Sequence, residues 1–141
     1  MPKAVLDSTV LVSAFLTEAG ISRQLLRESE AGNFQICIAE EILDETERVL
    51  SEYPRIRKRY RYSDEAVIEY VSLLRILSQV ITPLPKIKAV VRDPNDDMVI
   101  ACAVKARAQY IVTRDKDLLD LGSYQQITII SPEGFMQVLK E

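Results

Sequence analysis

The stretch Lys3-Ala4-Val5-Leu6-Asp7-Ser8-Thr9 decides how the chain is read. Its apolar run reads as a buried strand and ends abruptly in an aspartate. A helix starts at once, with Ser8 or Thr9 as its expected cap. A carboxylate at the carboxyl end of a buried strand stands where open α/β sheets place their ligands. Beyond it, Val10 to Leu16 continues as an apolar helix that Gly20 breaks. A second helix follows over about 21–31, with Ile21, Leu25 and Leu26 inward, and Gly32-Asn33 ends it. Phe34 to Ile38 reads as a second strand. The next helix, about 40–52, carries Ile42, Leu43, Val49 and Leu50 at helical spacing, and Pro54 stops it. Ser63 caps a helix that runs to about 78, and a short third strand near Val80-Ile81-Thr82 ends at Pro83 and Pro85. Asp93-Pro94-Asn95-Asp96-Asp97 opens an alanine-rich helix over about 95–107. Tyr110 to Thr113 is a fourth strand, Arg114 to Leu119 leads into a short helix, and Gln126 to Ile130 is a fifth strand. Pro132 suits the first turn of a last helix. Strands alternating with helices predict an α/β fold with a parallel sheet between two helical layers. With no repeat or linker in sight, residues 1–141 form one domain.

Composition narrows the chemistry. Formal charge is −3, from 18 basic and 21 acidic residues, so the chain as a whole is not a basic nucleic-acid binder. It has no histidine, which removes Ser-His-Asp and Cys-His catalysis together with every histidine-ligated metal site. Cys37 and Cys102 lack CxxC spacing and read as buried free thiols of a cytoplasmic protein. No leader-like segment and no apolar run near the roughly 20 residues of a membrane span are visible.

Four carboxylates then fall at mechanically similar places. Asp7 follows strand one and Asp115 follows strand four. Asp96 lies in the first turn of the alanine-rich helix, and Glu45 lies one turn into the helix after strand two. Taken singly, each has an ordinary explanation as a helix cap, a first-turn acid or a solvated residue on a charged face. Taken together, a parallel sheet turns all four toward one edge. Helix N-termini ease the crowding of acids there but do not remove their repulsion, so the group needs a cation or shared protons. Oxygen ligands without histidine or thiolate select Mg²⁺ or Mn²⁺.

The order of these motifs resembles the PIN-domain family over essentially the whole chain. Leu6-Asp7-Ser8-Thr9 running into Val10-Leu11-Val12-Ser13-Ala14 matches its first motif, and Glu41-Ile42-Leu43-Asp44-Glu45 its second. Asp93 to Asp97 with Ile100-Ala101-Cys102-Ala103 matches the third, and Ile111 to Leu119 the fourth. The similarity is greatest to the VapC-like branch of toxins from toxin–antitoxin pairs. The resemblance implies a three-layer α/β/α fold with a five-stranded parallel sheet of order 3-2-1-4-5. It implies Asp7, Glu45, Asp96 and Asp115 as the catalytic and metal-binding acids, with Asp117 and Asp93 outside them. Glu41 stays open as a rival to Glu45, and Asp97 as a rival to Asp96. One or two Mg²⁺ or Mn²⁺ ions, hydroxyls of Ser8, Thr9 or Thr113 that orient ligands, a single-stranded RNA substrate, an antitoxin partner and a homodimer built on helices such as Leu73 to Leu77 are implied in the same way. Thr9 departs from the asparagine common at its position.

The basic run from Arg55 through Arg57, Lys58 and Arg59 to Arg61, interleaved with Tyr53, Tyr60 and Tyr62, is either a solvated turn or a grip on an RNA backbone. Arg114 either reaches toward a phosphate or pairs with Asp117. Three rival readings compete with this one. A haloacid-dehalogenase-like phosphohydrolase wants an acid where Thr9 stands. A receiver-like domain wants an acidic pair near strand one and a lysine after the last strand. A catalytically weak PIN domain would act only as an RNA- or protein-binding module.

Overall fold

The computed structural model describes residues 1–87 and 94–141; Asp93 lies outside the described residues. In chain order the elements are β1 (Lys3–Leu6), α1 (Ser8–Leu16), α2 (Ile21–Glu30), β2 (Gln35–Ala39), α3 (Glu40–Glu52), α4 (Pro54–Tyr60), α5 (Asp64–Leu77), β3 (Ser78–Ile81), α6 (Pro94–Ala106), β4 (Tyr110–Val112), α7 (Lys116–Leu121), β5 (Ser123–Tyr124), β6 (Ile127–Ile130) and α8 (Pro132–Lys140).

The sheet runs β3-β2-β1-β4-β6-β5. Its first five members pair in parallel, which is the expected 3-2-1-4-5 order with β6 as the fifth strand. The correction is a sixth strand: the two residues of β5 fold back antiparallel on β6. So short a strand has no period to detect. Strand order reverses beside β1, which pairs with β2 on one side and β4 on the other. Leu6 is in register with Val112, so Asp7 and Thr113 emerge side by side at this switch point.

Continuous apolar strands are what burial on both faces requires. Ala4, Val5, Leu6, Ile36, Cys37 and Ile38 are all fully buried. Helix α6 lies over β1 and β2 with Ala103 and Cys102 buried, its small side chains permitting close approach. Phe34 and Phe135 meet edge to face at 4.9 Å and tie α8 to the start of β2. Gly134 allows that docking, because a Cβ there would lie 2.6 Å from the Ile130 side chain. Both cysteines are buried and unpaired. No helix among the described residues is long and apolar enough to cross a membrane.

One local expectation changes. The cap of α1 is Asp7 itself, whose carboxylate accepts from Val10 N; Ser8 and Thr9 are already helical. Pro54 ends α3 as expected: the helix stops at Glu52, Tyr53 before the proline is extended, and Pro54 then opens α4 from the first turn, where its missing N–H costs nothing.

Candidate metal centre

Three helix N-termini converge at the switch point, and each brings an acid. Asp7 caps α1, Asp115 caps α7 and Asp96 sits in the first turn of α6. Partial positive charge at these termini favours carboxylates. Glu45 reaches the same place from the second turn of α3. All four acids line one cavity of about 210 Å³, which Ser8, Thr9 and Asn95 share and Ile42 and Val99 wall on the apolar side. Glu41 and Asp97 line a different cavity with Leu84, Ile87 and Met98. The structure therefore groups Glu45 and Asp96, not their rivals, with Asp7 and Asp115.

Asp7 is held at once from the first turn of α1 and from the residue after β4. Thr9 Oγ1 donates to its Oδ1 at 2.6 Å, Val10 N donates to the same oxygen at 3.2 Å, and the buried Thr113 hydroxyl donates to Oδ2. Behind each hydroxyl stands a backbone amide. Arg114 N donates to Thr9 Oγ1 at 3.1 Å and Asp115 N donates to Thr113 Oγ1 at 2.9 Å. Each threonine oxygen thus accepts from the β4–α7 loop and turns its proton to Asp7. Burial pushes the Asp7 carboxyl above its ordinary value. The hydrogen bonds from Thr113, Thr9 and Val10 oppose that push, and the charge of Asp115 adds to it. Oδ1 thus accepts twice and Oδ2 once.

Among the described residues, the acids that bring one carboxylate oxygen each within 4.8 Å of one another are Asp96, Asp115 and Asp117. Asp117 stands nearer the centre than an outer position implies. The reason is local: Asp115 is extended as the cap of α7 and accepts from Asp117 N at 3.3 Å, which brings the two side chains to one end of the helix. The D-x-D spacing at a helix start is the sequence signal for this. Three such oxygens suit a hard divalent ion, and the chemistry of the donor set therefore fits the Mg²⁺ or Mn²⁺ expected from composition.

The basic candidates separate into two groups. Arg55, Lys58, Arg59 and Arg61 are exposed on and just after α4. Arg57 is committed to the fold: it bonds Asp64 at 2.5 Å and the Tyr62 carbonyl at 3.0 Å, and lies over the Tyr62 ring. Arg114 does not pair with Asp117, one of its two expected roles; its guanidinium forms a two-pronged pair with Glu133 of α8 at 3.0 and 2.7 Å. Glu133 had no signal in the sequence as its partner.

Fold and cavity together define an α/β domain with an acidic sheet edge at its topological switch point. The PIN-domain model matches residues 3–117, and the chain belongs to that family, one of metal-dependent nucleases. No curated protein matches the chain. Among solved structures it resembles VapBC2 from Rickettsia felis bound to a DNA fragment from its promoter, with a TM-score of 0.62 at 13% identity, covering 92% of this chain and 98% of that one. It also resembles the PIN domain of human SMG5, with a TM-score of 0.52 at 16% identity over 97% of this chain and 98% of that one. At these identities the likeness is one of fold.

Proposed function

We propose that the protein is a Mg²⁺- or Mn²⁺-dependent endoribonuclease that hydrolyses phosphodiester bonds of single-stranded RNA. The observation that carries this reading is the convergence of Asp7, Glu45, Asp96 and Asp115 on one cavity in a chain without histidine. Asp96, Asp115 and Asp117 would hold the ion, with the Asp7 carboxylate lining the same cavity. When bound, such an ion polarises the phosphate and acidifies a water. Thr9 and Thr113 keep the Asp7 carboxylate from rotating, and Glu45 orients the attacking water. Ile42 and Val99 keep that side of the cavity dry, which strengthens every charge interaction within it. The exposed Arg55, Lys58, Arg59 and Arg61 track the RNA backbone while Tyr53 and Tyr60 offer rings to unpaired bases. Arg114 meets phosphate only by leaving Glu133.

The likeness to VapBC2 supports a toxin role, with a cognate antitoxin as partner in the cytoplasm and a homodimer as the working unit. Co-purification of the product of the adjacent reading frame tests that role. A phosphohydrolase of the haloacid-dehalogenase kind loses its ground, because Thr9 is bonded to Asp7 where that chemistry needs a second acid. The test of the nuclease reading is Asp7→Asn against single-stranded RNA with Mn²⁺, and EDTA as control. The rate falls by on the order of a hundredfold or more. An undiminished rate, or cleavage that persists in EDTA, refutes the assignment.

A further inference from the structure

Glu133 lies in the first turn of α8, and its carboxylate takes both arms of the Arg114 fork at 3.0 and 2.7 Å. Neither backbone depends on this clasp to stay in place. Arg114 N is fixed on Thr9, Asp115 N on Thr113, and Thr113 N on the Ile130 carbonyl. The start of α8 is set by its Ser131 cap and by Gly134 against Ile130. With side chains 42% and 57% exposed, the pair also adds little to stability, because water screens it. What it does fix is the position of the guanidinium. That position matters because of what stands beside it. Arg114 directly precedes Asp115, about 3.8 Å away along the backbone. Asp115 belongs with Asp96 and Asp117 to the group whose carboxylate oxygens approach within 4.8 Å of one another. None of the described residues lining the cavity of Asp7 and Asp115 is a lysine or arginine. A guanidinium is a planar fork suited to bridging carboxylates, and crowded acids attract it. Lys116, on the other side of Asp115, is exposed and carries a compact, strongly hydrated charge without that fork.

We propose that Glu133 is a positioning residue that acts through Arg114: by gripping the guanidinium on α8 it keeps this cation out of the acid cavity and leaves the cavity to a divalent ion. An arginine that enters the group takes the same oxygens that the ion needs. Glu133 offers it an equivalent two-pronged contact outside. The hydrogen bonds from Arg114 hold the Glu133 carboxyl below its ordinary value, so the anion that the clasp needs is present at neutral pH. A first-turn acid on α8 has an ordinary reading as a partner of the helix N-terminus. That reading leaves unexplained why its carboxylate faces the one arginine that adjoins a cavity acid in sequence. The inference rests on the metal-binding part of the proposed function and needs no RNA.

The test is Mn²⁺ binding to the full chain, followed by calorimetry at about 0.15 M salt, where distant exposed charges are screened. Glu133→Gln keeps the size of the side chain and removes its charge. It lowers Mn²⁺ affinity about tenfold, as when the released guanidinium occupies the acids about nine-tenths of the time. Arg114→Gln restores the affinity in the Glu133→Gln background, yet alone changes it by less than about twofold. Glu133→Asp, which keeps the charge on a shorter arm, falls between wild type and Glu133→Gln. Both positions are exposed, and circular dichroism checks that each variant is folded. A field effect of Glu133 on the ion gives Arg114→Gln the same gain in both backgrounds, and a merely structural role gives no rescue; either result overturns the proposal. So does wild-type uptake of Mn²⁺ that Glu133→Gln leaves unchanged, with the metal reading intact. A wild-type chain that takes up no Mn²⁺ overturns the metal reading itself, and this inference with it.

Discussion

Asp7 accepts three hydrogen bonds from a wall that admits little water, and its behaviour follows from the contest between those two facts. Thr113 serves the contest twice, donating to Asp7 and accepting from Asp115 N. Thr113→Val keeps the shape and removes both bonds. It leaves a carboxylate oxygen and an amide without their partner, costing about 1–3 kcal/mol in urea unfolding and about 10- to 100-fold in Mn²⁺ affinity by calorimetry. Thr113→Ser recovers most of each loss. The pH dependence has a definite sign. Because burial first of all raises the Asp7 carboxyl above its value in the unfolded chain, the native state binds that proton more tightly. The contribution of Asp7 to metal-free stability is therefore fully present below the unfolded value of 3.8 and is lost as pH rises through the folded one. Metal binding needs the ionised form, so Mn²⁺ affinity falls by up to about tenfold per pH unit below the folded value. Titrations of wild type and Asp7→Asn at several pH values check both statements, the variant losing the share of each slope that Asp7 supplies.

Helix α4 shows how one basic run divides its labour. Arg57 holds the turn between α4 and α5, and Tyr62 anchors the same turn by donating to the Leu50 carbonyl at 2.5 Å. Arg57→Ala is expected to loosen this turn, read as faster amide exchange over 57–64, with little change in the salt dependence of RNA binding. Lys58→Ala with Arg59→Ala has the opposite signature: unchanged exchange, and a log–log salt slope smaller by about 0.7 for each phosphate contact removed. A slope that stays constant in the double variant excludes α4 from the RNA path. The run was legible in sequence as basic and aromatic, but its division was not, because the choice of Asp64 and Tyr62 as partners for Arg57 depends on a turn closed in space. The same holds for Arg114, whose partner Glu133 lies 19 residues further along. Strands were read with more success, since continuous apolar runs announce a doubly covered parallel sheet. Asp7 was legible as the residue that follows β1, and capping of α1 stood among its readings, but Ser8 and Thr9 offer the same chemistry one and two residues later and left the choice of cap open.

Across the whole molecule, the acids come from positions 7, 45, 96, 115 and 117, and the sheet order is what assembles them. That order was legible once the alternation of strands and helices was recognised, and with it four of the five acids. The tight grouping of Asp117 with Asp96 and Asp115 was not, since it depends on how α7 is capped. The family match ends at residue 117, yet Thr113 N donates to the carbonyl of Ile130 in β6, and Arg114 is held by α8. A chain cut after Asp117 thus keeps all five acids but loses β6, the neighbour that β4 needs on its outer side. Truncation at that point is expected to leave the sheet open beside Thr113 and to loosen the hydroxyl that bonds Asp7, so the matched segment alone does not carry the whole architecture of the cavity.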